Sequence, residues 1–206
     1  MKTTNAGGEP IKSRQRVATA LRHETPDRVA VDFGGHRSSG IAALAYVKLR
    51  RYLGLSERPV RVYDLPQQLA VIDEDVLDRF GGDTLELGRG FALADADWAP
   101  WELPDGTPCF VPAWHLPERD GDGWVLRSLK TGRVIAQMPA GTLYFEQTRF
   151  PFLDGTPDHA HLAEHYSENM WTGVAAPPGP LAPTPAALRA GAAALRARTD
   201  RALLGL

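Results

Sequence analysis

The sequence predicts an α/β fold: a partial (β/α)8 barrel of about three parallel strands, with a β-rich insertion after the second. Three observations carry this. Residues 13–40, SRQRVATALRHETPDRVAVDFGGHRSSG, open as a helix, a turn and a buried strand ending in a glycine pair beside an arginine, which is how a barrel enzyme begins. Helix, helix and strand signals follow in that order as far as residue 87. Residues 97–147 then change character, with frequent Trp, Pro and Gly and extended runs separated by turn signals.

Each element has a local cause. Ser13 is placed to cap the first helix, Val17, Ala20 and Leu21 form its apolar face, and Pro26-Asp27 breaks it before the alternating Val29, Val31 and Phe33. Gly34-Gly35 permits a sharp turn that brings His36 and Arg37 to the strand end. Residues 41–55 form an amphipathic helix with Ile41, Leu44, Ala45, Leu49 and Leu53 on one face and Gly54 near its end. A short extended piece spans 60–63. A helix over 73–80, with Asp73 and Glu74 favourably at its positive end, is stopped by Gly81-Gly82 before the strand 84–87. In the insertion, runs 124–129 and 133–138 flank Lys130-Thr131-Gly132 as a β-hairpin. Residues 158–171 read as a helix, 177–185 as a stiff connector, 185–200 as a helix with Pro185 in its first turn, and RALLGL as a third barrel strand.

The expected organisation is a flexible amino terminus (1–12), the start of the barrel (13–96), the β-rich insertion (97–147) and a barrel continuation (148–206) truncated at a strand. A complete barrel takes about 250 residues. The expectation is therefore an amino-terminal portion that neither closes nor catalyses alone.

Composition bounds the function classes. A formal charge of -2 gives no electrostatic case for nucleic acid or an anionic membrane surface. No run approaches the ~20 apolar residues of a membrane span, the first twelve residues lack the apolar core of a signal peptide, and the cytoplasm is the expected address. The single cysteine, Cys109, excludes an internal disulfide and a zinc site built on several thiolates within these residues.

In a barrel the reacting groups sit at the carboxyl ends of the strands, which nominates Asp32, His36 and Arg37 after the first strand and Glu86 and Arg89 after the second. Asp32 and Glu86 are the catalytic candidates; His36, Arg37 and Arg89 are the substrate-binding ones. Arg37 equally fits a salt bridge, Glu86 a buried ion pair, and Asp64 a turn cap. His161-Leu162-Ala163-Glu164-His165 matches the H-x-x-E-H pattern of inverted zinc peptidases, but the downstream acids Glu168 and Asp200 are badly placed for a further ligand, so a solvated helix face is favoured. Cys109 is expected to be a packed side chain. The tryptophans at 98, 101, 114 and 124 pack the insertion or wall a pocket for a planar ligand.

Residues 13–40, with RVYDLPQQLA at 61–70 and DEDVLDRFGGDTLEL at 73–87, resemble the uroporphyrinogen decarboxylase superfamily, which also contains cobalamin-dependent methyltransferases. The likeness runs with gaps from about Ser13 to the last residue and is strongest in ALRHETPDRVAVDFGG and the Asp-Arg-Phe-Gly-Gly-Asp step at 78–83. It implies a partial TIM barrel. The decarboxylases carry a substrate-binding arginine in a Met-Arg-Gln-Ala-Gly-Arg motif after this strand, whereas Gly35-His36-Arg37-Ser38-Ser39-Gly40 retains the arginine and a following glycine only. They also place an aspartate after the second strand, where this chain has Leu87-Gly88-Arg89-Gly90.

These departures point to the methyltransferase branch, which moves a methyl group between a corrinoid cobalt and a thiol or similar acceptor. Uroporphyrinogen decarboxylation is the alternative, and a non-catalytic truncated product or half of a split enzyme is another. The resemblance implies methylcobalamin or another corrinoid, with zinc, in a full-length relative, but no cofactor or metal bound by this chain alone. It also implies a small-molecule substrate or a corrinoid protein as partner, with neither nucleic acid nor membrane, and in the split case a separately encoded carboxyl-terminal half.

Overall fold

The computed structural model describes residues 11–87, 94–150, 152–153, 155–156, 158–174 and 184–205. The chain begins with helix α1 (Ser13–Leu21), a 3-10 turn (Arg37–Ser39), helix α2 (Ala43–Tyr52) and strands β1 (Val60–Asp64) and β2 (Leu69–Ala70). Helix α3 (Glu74–Phe80) leads into strand β3 (Thr84–Leu87). Six strands follow: β4 (Trp98–Glu102), β5 (Pro108–Pro112), β6 (Glu118–Asp120), β7 (Gly123–Arg127), β8 (Val134–Met138) and β9 (Glu146–Gln147). Short helices α4 (Leu162–Ser167) and α5 (Met170–Gly173) precede helix α6 (Pro185–Arg198) and strand β10 (Ala202–Gly205).

Two compact units divide the chain. The first takes Met1–Ile41, Val71–Ala92 and Pro183–Leu206; the second takes Ala42–Ala70 and Leu93–Ala182.

In the first unit β10 runs parallel to β3, with Ala202 opposite Thr84 and Gly205 opposite Leu87. Helix α3 ends as the glycine pair predicts: Gly81 is left-handed at φ 64° and the Gly82 N–H returns to the Leu77 carbonyl at 2.8 Å. Thr184 caps α6, its side chain accepting from the Ala187 N–H at 3.1 Å, and Pro185 occupies the first turn. Ser13 is not a cap. Lys12 holds that position, and its N–H donates to Gln15 Oε1 at 3.1 Å.

The predicted partial TIM barrel does not form. Among the described residues the strands lie in three small sheets of four, two and four strands, and none closes. The expected first barrel strand is the point of failure. Residues 29–33 build no ladder, because Asp83 meets Val31 with both its backbone and its side chain: the Asp83 N–H donates to the Val31 carbonyl at 2.7 Å, and the Val31 N–H donates to Asp83 Oδ2 at 2.8 Å. A carboxylate oxygen occupies the acceptor position that a neighbouring strand would offer, so pairing stops after one residue. Val29, read as a buried strand residue, is exposed.

The second unit holds both four-stranded sheets. One has the order β2-β1-β5-β4, with β1 parallel to β5 and every other pair antiparallel. Its core is Val60, Val62, Leu69, Cys109 and Val111, with Tyr46 of α2 buried as well. The other is the antiparallel meander β6-β7-β8-β9, which contains the predicted hairpin, with Gly132 at φ 71° in its turn. The expected helix over 158–171 is two short helices instead. Glu168 is buried between them, where Arg133 reaches its Oε1 at 3.1 Å and Arg149 its Oε2 at 2.7 Å. Asn169 then restarts the helix, its Oδ1 accepting from the Trp171 N–H at 2.8 Å.

Candidate functional site

Three of the five predicted site residues, Asp32, His36 and Arg37, lie on one loop of the first unit, and its shape follows from the glycine pair. Gly34 adopts φ 78°, and a Cβ there would lie 2.5 Å from Ile72 Cγ1. Its N–H donates to the Ser39 carbonyl at 3.0 Å, closing the loop on itself. Gly35 is packed harder still: a Cβ would fall 2.4 Å from Asp32 Oδ1 and 2.6 Å from Thr84 Oγ1. Only glycine lets the backbone approach this closely.

Asp32 Oδ1 is the clasp of the loop. It accepts from the Gly35 N–H at 3.0 Å and from the Thr84 hydroxyl at 2.5 Å, tying the turn to the first residue of β3. His36 begins the 3-10 turn. Its Nδ1 accepts from the Ser38 N–H at 3.2 Å, which leaves the proton of the neutral ring on Nε2. Ser39 locks the same turn, its hydroxyl donating to the His36 carbonyl at 3.0 Å. Arg37 is half-buried at the first position of the turn.

Glu86 lies two residues beyond Thr84 on β3, so alternation puts both on one face of the strand. It is buried. Arg89 lies outside the described residues, so the structure joins the loop residues to the Thr84–Glu86 face and leaves Arg89 unplaced.

Sequence reasoning missed Thr84 and Asp83. A threonine at a strand start reads as a β-former, and nothing local announces its hydroxyl as a clasp for Asp32. Asp83 closes the Asp-Arg-Phe-Gly-Gly-Asp step, yet its role is visible only with its partners. It is fully buried and accepts from Arg16 Nη1 at 2.6 Å, from Arg28 Nη1 and Nη2 at 2.7 and 3.0 Å, and from the Val31 N–H. Burial pushes its pKa up, but the Val31 N–H, the Ser13 hydroxyl and the Arg28 and Arg16 guanidiniums outweigh this and hold it below the usual aspartate range.

The described residues do not fit the zinc implied by the methyltransferase resemblance. None of them form a group of three or more His, Cys, Asp and Glu side chains able to hold a metal ion. His161 Nδ1 instead lies 2.8 Å from Asp158 Oδ1 at the start of the six-residue α4. Cys109 is buried in β5, and burial, followed by the charge of Glu102, pushes its thiol up to about 12. It is a protonated core side chain at neutral pH, not a thiolate ligand.

Comparison with protein-family models, with curated proteins and with solved structures finds no match for this chain. Among the described residues, no helix is long and apolar enough to cross a membrane.

Proposed function

We propose that the loop Asp32–Gly40, with the Thr84–Glu86 face of β3, is the substrate-binding corner of a cytoplasmic protein related to the uroporphyrinogen decarboxylase superfamily, nearer its corrinoid-linked methyltransferases. The observation that carries it is the seating of Gly35 against Asp32 and Thr84, which fixes the backbone that presents His36 and Arg37. A site must hold its groups within a fraction of an ångström, and a doubly anchored turn does so. In this reading Arg37 offers a planar fork of donors to an anionic substrate group and His36 Nε2–H a further donor, while Asp32 positions the loop. The barrel forms no part of the support; the relation rests on the sequence likeness of residues 13–40 and 73–87.

The test incubates a full-length relative with methylcobalamin and a thiol, and separately with a porphyrinogen, comparing wild type with the substitutions that correspond to Arg37→Lys and Arg37→Ala. Loss of the methyl–cobalt absorbance that weakens in both variants is the expected result. Porphyrinogen turnover alone replaces the assignment with decarboxylation, and turnover unchanged in Arg37→Ala removes Arg37 from the site.

A further inference from the structure

In the second unit a cleft of about 500 Å^3 is lined by the last turn of α2, by residues 57–60 leading into β1, and by the turn 105–108 between β4 and β5. That volume lies within the range of small-molecule sites. Its polar lining is dominated by arginine: Arg50, Arg51 and Arg58 against Glu57 and Asp105.

Both carboxylates have identified partners. Glu57 accepts from Arg51 Nε at 3.1 Å, and Asp105 Oδ1 accepts from the Thr107 N–H at 3.0 Å within the turn. Three guanidiniums against two carboxylates give the lining one net positive charge. Arg50 is nearly wholly buried, and its orientation is set by the protein: Nη2 donates to the Ser56 carbonyl at 3.0 Å and the guanidinium lies 5.9 Å from the centre of the Tyr46 ring. Val47, Pro59, Val60 and Pro108 give the remaining wall an apolar character. A guanidinium held in place recognises carboxylate or phosphate oxygens, and an apolar wall accommodates a carbon body.

We propose that this cleft binds a small organic anion, a phosphate- or carboxylate-bearing molecule whose apolar body lies against Val60 and the two prolines. The site is independent of the Asp32–Gly40 loop and stands whether or not that loop binds a substrate.

The test titrates the full chain with phenyl phosphate, inorganic phosphate and the neutral benzyl alcohol, following the amide resonances of Val60, Gly106 and Thr107. Phenyl phosphate is expected to shift them saturably and more tightly than inorganic phosphate, with benzyl alcohol inert. Arg58→Gln replaces an exposed side chain and is expected to weaken phenyl phosphate about tenfold, the loss of one charge-assisted contact, with the amide resonances remote from the cleft unmoved. No saturable shift, equal affinity for inorganic phosphate, or an unchanged Arg58→Gln titration would each overturn the proposal.

Discussion

The Asp83 carboxylate and the Arg16 guanidinium meet at 2.6 Å with both side chains almost entirely out of water. Arg16 also grips Asp27 with two bonds of 2.6 and 2.7 Å, so one guanidinium from α1 joins the turn after that helix to the residue before β3. Removing one partner of a buried pair costs about 3–5 kcal/mol where the other charge is left uncompensated. Without Arg16, however, the Asp83 carboxylate still keeps Arg28 and the Val31 N–H, while Asp27 loses both of its bonds from Arg16. Arg16→Met is accordingly expected to lower the unfolding free energy by about 1.5–3 kcal/mol, the loss of charge-assisted bonds rather than of a whole pair. Arg28→Met should cost less, because its side chain is 41% exposed and water already shares its charge. Urea titration of both variants checks the order, and equal losses would contradict it.

Gly35→Ala tests the loop clasp. The added methyl falls on Asp32 Oδ1 and Thr84 Oγ1, and neither can yield without breaking the bond between them. An overpacking penalty of about 1–3 kcal/mol is expected. Thr84→Val keeps the volume and removes only the hydroxyl, so it should loosen the loop at a smaller stability loss. Hydrogen exchange at Gly35 and Ser38 reports the loosening; unchanged protection in Thr84→Val would show that the clasp does not hold the loop.

Where structure is set within a few residues, the sequence was legible. The stop of α3 at Gly81, the hairpin turn at Gly132 and the start of α6 at Pro185 all depend on local backbone chemistry. The partial barrel was not, because strand pairing is decided at long range. Val29, Val31 and Phe33 alternate as a strand should, but the Asp83 side chain, fifty-two residues beyond Val31, takes the pairing position. The site divides the same way: the glycine pair announced the loop carrying Asp32, His36 and Arg37. Arg16 gave no signal, since an arginine on a largely polar helix reads as solvated until Asp27 and Asp83 are seen to bury it.

Glu168 should give stability an acid limb. Burial raises its pKa, but the Arg149 and then the Arg133 charges outweigh it, so the folded value lies below the usual glutamate range. The stabilisation is complete above about pH 4.5 and is lost as pH falls through the folded value. Glu168→Gln keeps the shape and drops the charge, and is expected to cost about 1–3 kcal/mol at neutral pH. The same variant should lose stability less steeply than wild type below about pH 4.5. Parallel acid limbs in the two proteins would assign the effect to other carboxylates, Asp83 first among them.

His115 should produce a separate decline at milder acidity. Its side chain is buried. Burial lowers its pKa, and the Arg127 backbone and the Glu118 charge offset this only in part, so the folded state holds the ring neutral. The unfolded ring takes up a proton first. Stability is therefore full above about pH 6.5 and declines as pH falls from there toward the lower folded value. His115→Phe cannot titrate and fills a similar volume, so its urea midpoint should stay level between about pH 7.5 and about pH 5.5 while that of wild type falls. This decline begins near pH 6.5, above the onset near pH 4.5 expected for Glu168. An equal fall in wild type and His115→Phe would show that a group other than His115 is taking up the proton.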